Sequence, residues 1–497
     1  MNEWNIAPQD VLERLNGLRQ ADAPTHGGRV LSYVYDSGRA DLDDLAAAAI
    51  RAVQPLNGLD PTTFRSVAVM ERELVGFSRT LFHGDDDVVG SITSGGTESC
   101  LLAVKTARDA WRADGRSGRP QLLVASTVHA AFQKAAHYFE LDLAVVPVSP
   151  VTGAPSAEAI IERLTADVAL VVVSAPSYPT ATLDPVAEVA AAAASVGVPV
   201  HVDACIGGFA LPWWPDLPAW NFAVPGVTSL SADLHKYGYS PKGASVLLQR
   251  GRDRQRLQYF ATTRWPGYPV VNSTMLGSKS AGPLAASWAI VQALGDGGLA
   301  ELAGAARRAT IALVEVVEAI DGLRVVGRPV GPLFAVTSDD DVDEARRVDP
   351  HRLADAMRRY GFIVQLQPGL AQGDGTRMPP TAHLTVTPVT ERILPELSDA
   401  LRRAADDVRG APAARADEVL QALAGSGLLA EGVMPDSDAA AALLGAVGIS
   451  DGSVPEEMAP LLALVEALPA PLAERLLTEL LARLVEPAPQ SPQTAVM

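Results

Sequence analysis

The sequence predicts an α/β fold with a mostly parallel sheet in a large domain, a small α+β C-terminal domain and a helical C-terminal extension. Three observations carry this. Short, nearly continuous runs of Val, Leu, Ile and Ala, such as 168–174, mark strands buried on both faces. Between about 62 and 249 these runs alternate with helical stretches, the pattern of a sheet covered by helices on both sides. After a long Ala-rich helical region the strands resume, and beyond Gly410 only helical patterns remain.

The elements follow in order. A helix is expected over 8–20, a Gly-rich turn at Gly27-Gly28 and a second helix over 41–53. The regular pattern then starts with a helix at 66–82, a strand at 88–93, a Gly-rich turn and a helix at 98–113. Strands at 121–126, 144–147, 168–174 and 198–202 are separated by helices that include 157–164 and 186–195. Two more strands, 229–232 and 244–249, flank a lysine-bearing segment. The helical region 282–319 leads into strands at 323–326, 333–336, 362–366 and 383–387, with a helix at 350–360. The domains are therefore 1–60, 61–300, 301–408 and a helical extension at 409–485, with a disordered tail at 486–497. The linker is Gly410-Ala411-Pro412-Ala413-Ala414, and apolar residues at helical spacing in the extension suit packing on the small domain or across a dimer.

Composition narrows the classes. At 497 residues with a net charge of −18, the chain has a large core and no basic surface for nucleic acid or an anionic membrane. Only Cys100 and Cys205 occur, which excludes a disulfide framework and suits a cytoplasmic protein. The N-terminus reads as neither signal peptide nor span, and no apolar run is long enough to cross a membrane.

Four segments carry chemistry. Ile92-Thr93-Ser94-Gly95-Gly96-Thr97-Glu98-Ser99 joins a strand to a helix through two glycines, where backbone amides favour a phosphate. In Val200-His201-Val202-Asp203-Ala204, alternation puts His201 and Asp203 on one face, and a buried strand ends in a carboxylate only when a cation or donors satisfy it. Ser231-Ala232-Asp233-Leu234-His235-Lys236 sets a lysine among apolar neighbours, where burial is expected to lower its pKa. His129 follows a strand end, the edge at which α/β sheets present ligands. A lysine able to form a Schiff base and an aspartate able to keep a pyridine nitrogen protonated are the arrangement pyridoxal 5'-phosphate (PLP) needs.

With these segments the chain, from about Gly28 to about Ala404, resembles the PLP-dependent decarboxylase superfamily of aspartate-aminotransferase fold (fold type I), specifically its sphingosine-1-phosphate lyase branch. The resemblance implies that Lys236 holds the cofactor as a Schiff base, Asp203 pairs with its ring nitrogen, and His129 and Ala204 lie on opposite ring faces. It also implies that Gly95, Gly96 and Thr97 bind the phosphate with His235 and Ser231. A homodimer with shared sites is implied, Gly277 and Ser278 reaching the partner's cofactor and 1–60 contributing to dimer and substrate site. Tyr35 and Lys242 match substrate-phosphate positions of the lyase, whereas Asp60 stands where the family has histidine and Lys279 where it usually has arginine.

The expectation is a carbon–carbon lyase acting on a small-molecule amine, either a phosphorylated amino alcohol or, by decarboxylation, an amino acid. A catalytically idle PLP-binding scaffold and an aminotransferase are the further readings. For the latter, only Arg352 and Arg358 offer a carboxylate-binding arginine in the small domain.

Overall fold

The computed structural model describes residues 5–414, 416, 421, 434–446, 449 and 455–487. Much of the extension between 417 and 433, and the tail from 488, lie outside the described residues. Helices α1 (Pro8–Arg19), α2 (Ala40–Val53) and α3 (Arg65–Leu81) precede the large domain's sheet. That domain then runs β1 (Val88–Thr93), α4 (Gly96–Ala113), β2 (Gln121–Ala125), α5 (Ala130–Phe139), β3 (Asp142–Val146), α6 (Ala157–Ile161) and β4 (Val168–Ser174). It continues with α7 (Val186–Ser195), β5 (Val200–Asp203), β6 (Val227–Ala232) and β7 (Ser245–Arg250).

These strands form one sheet in the order β1-β7-β6-β5-β4-β2-β3. Its members from β3 to β6 are parallel, while β7 runs antiparallel to both neighbours. Burial explains the composition: every residue of β4 is buried, so both faces must be apolar and β-branched side chains suffice. One core packs on this sheet around Val171, Val200 and Leu230, and a second fills the space under α4 and α5 with Val104, Phe132 and Leu170. Because the parallel strands share a direction, β2, β4, β5 and β6 all deliver their C-terminal ends to one edge. Thr93 joins them there, since it pairs with Ser245 at the start of β7.

After α8 (Arg252–Arg256) and a short hairpin, β8 (Phe260–Thr262) with β9 (Val270–Asn272), the helix α9 (Gly282–Glu318) leads to the small domain. Gly295 interrupts α9 with φ 57° and ψ −164°. Beyond it, Leu299 and Leu302 pack in the large-domain core, while Ala309, Leu313 and Val317 pack in the small-domain core. The small domain holds β10 (Leu323–Val325), β11 (Leu333–Ser338), α10 (Pro350–Arg359), β12 (Gln365–Gln367), the hairpin β13 (Leu370–Ala371) and β14 (Arg377–Met378), β15 (Thr381–Thr385) and α11 (Thr390–Val408). Its main sheet, β10-β11-β15-β12, is antiparallel.

The described helices of the extension are α12 (Ser437–Ala446), α13 (Ala459–Ala467) and α14 (Ala470–Leu484), packed around Leu443, Leu464 and Leu476. They dock on the small domain as anticipated. Asp355 of α10 accepts hydrogen bonds from the Met458 and Ala459 amides at 2.9 and 2.8 Å, and so caps α13. Arg377 pairs with Glu466 at 2.6 Å. No helix among the described residues is long and apolar enough to cross a membrane.

Candidate active site

The strand ends gather the predicted residues at one edge. The β1–α4 turn crosses it with Gly95 at φ 152°, and Gly96 opens α4. A Cβ on Gly96 would lie 2.6 Å from Asp233 Oδ2, so only glycine lets the turn approach that carboxylate. The first-turn amides of α4 have no partners inside the helix, which leaves them for an anion. Glu98 fixes the turn: its carboxylate accepts from Ser94 N at 2.6 Å and from Met275 N at 2.7 Å. Nothing in the spacing of the sequence marks Glu98 as the tie between the turn and the 275–279 loop.

Lys236 sits four residues beyond β6 with its Nζ 3.1 Å from Asp233 Oδ2, and Asp233 is 2% exposed. His235 Nε2 lies 3.5 Å from the same oxygen, and its Nδ1 accepts from Ala244 N at 3.3 Å. The expected lowering of the Lys236 pKa is reversed. Burial is the largest single influence and pushes the ammonium down, but Asp233, Tyr35, Cys205 and Asp203 together outweigh it and leave the pKa well above its ordinary value. Burial pushes His235 down, so its ring is held neutral. Asp233, to which the sequence reading gives no role, is thus a charge partner of Lys236.

Asp203 closes β5, and its Oδ1 accepts from Cys205 N at 3.1 Å. His201 shares its face. The buried ring bonds Ser229 Oγ at 2.9 Å and Ser231 Oγ at 3.1 Å, and burial pushes its pKa down to about 4. Ser231 is wholly buried with its hydroxyl committed to His201 and, at 3.3 Å, to Cys205 Sγ. Its hydroxyl thus ties the His201 ring of β5 to the Cys205 thiol. His129 caps α5, its Nδ1 accepting from Ala131 N at 3.2 Å, which leaves the proton on Nε2. Its ring is exposed at the end of β2, and Ala204 is buried next to Asp203.

Tyr35 and Lys242 meet beside Lys236. The Lys242 Nζ stands 4.4 Å from the Tyr35 ring centroid and donates to the His235 carbonyl at 3.1 Å. Burial, then the charge of Lys236, lowers the Lys242 pKa to about 8. Tyr35 packs edge-on against Tyr237 at 5.2 Å, and burial raises its pKa. Tyr178, which no spacing signalled, stacks on His383 at 4.2 Å with its buried hydroxyl unpartnered. Lys236, Tyr35 and Tyr33 all contribute to the field on that hydroxyl.

Asp60, Gly277, Ser278 and Lys279 form a separate group. Asn57 Nδ2 donates to Ser278 Oγ at 3.2 Å, and Gly58 N to the Lys279 carbonyl at 2.8 Å. Asp60 accepts from the hydroxyls of Thr62 and Thr63 at 2.6 and 2.7 Å, and these bonds pull its pKa down to about 2. Asp60, Gly277 and Lys279 line an open cavity of about 1140 Å³. Within one chain this group is not brought together with Tyr35 and Lys242.

The site's residues fit PLP. A buried carboxylate with one oxygen free of Cys205 N suits a ring nitrogen, a glycine cradle with open amides suits a phosphate, and Lys236 stands between them. The pyridoxal-dependent decarboxylase conserved domain matches residues 64–263, and the pyridoxal-dependent enzyme C-terminal putative HTH domain matches 395–483. Sphingosine-1-phosphate lyase of Dictyostelium discoideum is 34% identical over 67% of this chain and 64% of its own length. The Drosophila melanogaster lyase is 34% identical over 78% of this chain and 68% of its own. The chain thus spans just under two thirds of the Dictyostelium relative. Among solved structures, a Burkholderia pseudomallei sphingosine-1-phosphate lyase superposes with TM-score 0.75 at 32% identity, covering 86% of this chain and 95% of that one. Lactobacillus brevis glutamate decarboxylase, at 19% identity and TM-score 0.72, shares the fold. The chain belongs to the pyridoxal-dependent decarboxylase superfamily, in its sphingosine-1-phosphate lyase branch.

Proposed function

We propose that the protein is a PLP-dependent carbon–carbon lyase that cleaves a phosphorylated amino alcohol, as in the sphingosine-1-phosphate lyases it resembles. The observation that carries this reading is the placement of Tyr35 and Lys242 directly beside the Lys236–Asp233 pair. When bound, PLP supplies the electron sink for the pair released at the amine-bearing carbon. Asp203 would hold the ring nitrogen's proton, and its burial would keep that pair in a low dielectric. Lys236 would anchor the cofactor, and its amine is placed to move a proton at the amine-bearing carbon. Asp233 holds or returns that proton at 3.1 Å. The ammonium of Lys242 and the hydroxyl of Tyr35 suit a phosphate, and the aromatic wall of Tyr35 and Tyr237 excludes water.

The partner is a second copy. Among the described residues, α1 buries none of its own side chains and exposes Val11, Leu12, Leu15 and Leu18. Trp265, Tyr268, Val271, Met275 and Leu276 add exposed apolar surface next to Gly277 and Ser278. Dimerisation would cover both and carry the 277–279 loop to the partner's site.

One observation favours α-decarboxylation as the second reading. Both oxygens of Asp60 are consumed by Thr62 and Thr63, so this position offers a phosphate a negative charge and no donor. Purified protein loaded with PLP should absorb in the visible and lose the band in Lys236→Ala. A colourless wild type sinks the reading. Mass spectrometry of products with phosphorylated amino alcohols then tests for aldehyde release, and carbon dioxide from an amino acid would select the second reading.

A further inference from the structure

The chain's two cysteines lie 105 positions apart, yet the fold puts both against the cofactor aspartate. Cys100 stands in the second turn of α4, and Cys205 follows β5 by two residues. Cys100 Sγ, Cys205 Sγ and an oxygen of Asp203 all lie within 4.8 Å of one another, and all three residues are buried. Two thiols and a carboxylate in an enclosed pocket form a soft donor set, unlike an acidic surface cluster. A tetrahedral zinc with sulfur ligands at about 2.3 Å holds two sulfurs about 3.8 Å apart, so the group needs at most about 1 Å of contraction. Ser231 Oγ, 3.3 Å from Cys205 Sγ, or a water can take the fourth position.

We propose that Cys100, Asp203 and Cys205 form a site for one thiophilic divalent cation, of the zinc and cadmium class, which is open in the cofactor-free chain and closed once the cofactor engages Asp203. Nothing in the lyase chemistry uses the two thiols. In binding, the metal forms two bonds to sulfur and one to the Asp203 oxygen, and both thiol protons pass to solvent with no change of oxidation state. The resulting assembly carries one net negative charge, and the Lys236 ammonium acts on both thiols and can offset it. The thiol–thiol contact pulls Cys100 down and pushes Cys205 up. Burial with Asp203 and Asp233 leaves both above their ordinary values. Each metal bound displaces the two thiol protons. The exclusion by cofactor rests on the PLP reading, whereas metal uptake by the cofactor-free chain does not.

The test is a cadmium titration of the reduced, full-length, cofactor-free protein, followed by thiolate-to-metal charge-transfer absorption in the ultraviolet. One cadmium per chain is expected, with the absorption lost in Cys100→Ala and in Cys205→Ala. Asp203→Asn keeps both thiols and should keep the absorption while weakening binding at least tenfold. Absence of the absorption in the wild type, or its survival in either cysteine variant, overturns the site. Uptake that is unchanged after PLP loading, shown by the visible band, overturns the exclusion and leaves the metal site standing.

Discussion

Asp233→Asn tests the central electrostatic argument. The change keeps the side chain's shape but deletes the buried charge that lies 3.1 Å from the Nζ of the half-buried Lys236. If the ammonium stays charged, breaking such a pair costs about 3–5 kcal/mol. If it sheds its proton instead, the cost at about pH 7.5 is roughly three units from an ordinary value of 10.5, or about 4 kcal/mol. At about pH 9 the second route costs only about 2 kcal/mol, so it takes over. In the wild type the folded pKa is raised, so the pair's contribution is fully present below 10.5 and fades only as pH climbs through the higher folded value. The wild-type term is therefore flat between these two pH values, and the variant's deficit should halve. Chemical denaturation of the cofactor-free proteins at both pH values measures it. A deficit under about 1 kcal/mol, or one that does not shrink with pH, refutes the assignment of Asp233 as the counter-charge.

Gly96→Ala places a methyl 2.6 and 2.8 Å from the two Asp233 oxygens, and overpacking of about 1–3 kcal/mol should weaken PLP binding roughly tenfold or more, read by titrating the visible band. Burial raises the carboxyl of Asp184 to about 7 from an ordinary 3.8, so ionisation is resisted in the folded state and stability is lost as pH rises between those values. Asp184→Asn should accordingly gain up to about 4 kcal/mol at about pH 8 and little at about pH 4, measured by denaturant unfolding. Lys242, at about 8, is a cation only below that pH, so KM for a phosphorylated substrate should rise above it, and Lys242→Met should flatten that rise while raising KM throughout. Equal pH dependence in the two proteins would remove Lys242 from the substrate site.

Strands with one chemistry on both faces were the most legible. The bounds of β4 match the sequence reading at both ends, because a continuous apolar, mostly branched run suits a doubly covered sheet, and those of β1 match too, its end marked by the Gly95-Gly96 turn. The hairpins β8–β9 and β13–β14 went unread: two or three half-exposed residues carry no period. In the site, Lys236, Asp203, His129 and the Gly95-Gly96 turn were legible from residue type at a strand end. Asp233, Glu98 and Tyr178 were not. Each acts through contacts with residues distant in the chain or on a loop whose path the sequence does not fix, as when Glu98 meets Met275. The pKa of Lys236 was misjudged for the same reason, since burial is readable from apolar neighbours and a counter-charge three residues back is not.

The segment of α9 beyond Gly295 belongs to both cores at once, through Leu299 and Leu302 on one side and Ala309, Leu313 and Val317 on the other. It is a beam shared by two rooms. The small domain cannot swing on a loose strap, because its supporting helix is already bolted to the large domain's interior. Tyr237, adjacent to Lys236, adds a second fastening, its hydroxyl 2.8 Å from the carbonyls of Pro332 and Val386. A displacement of the small domain would thus reach Tyr237, the chain neighbour of Lys236, through these two hydrogen bonds.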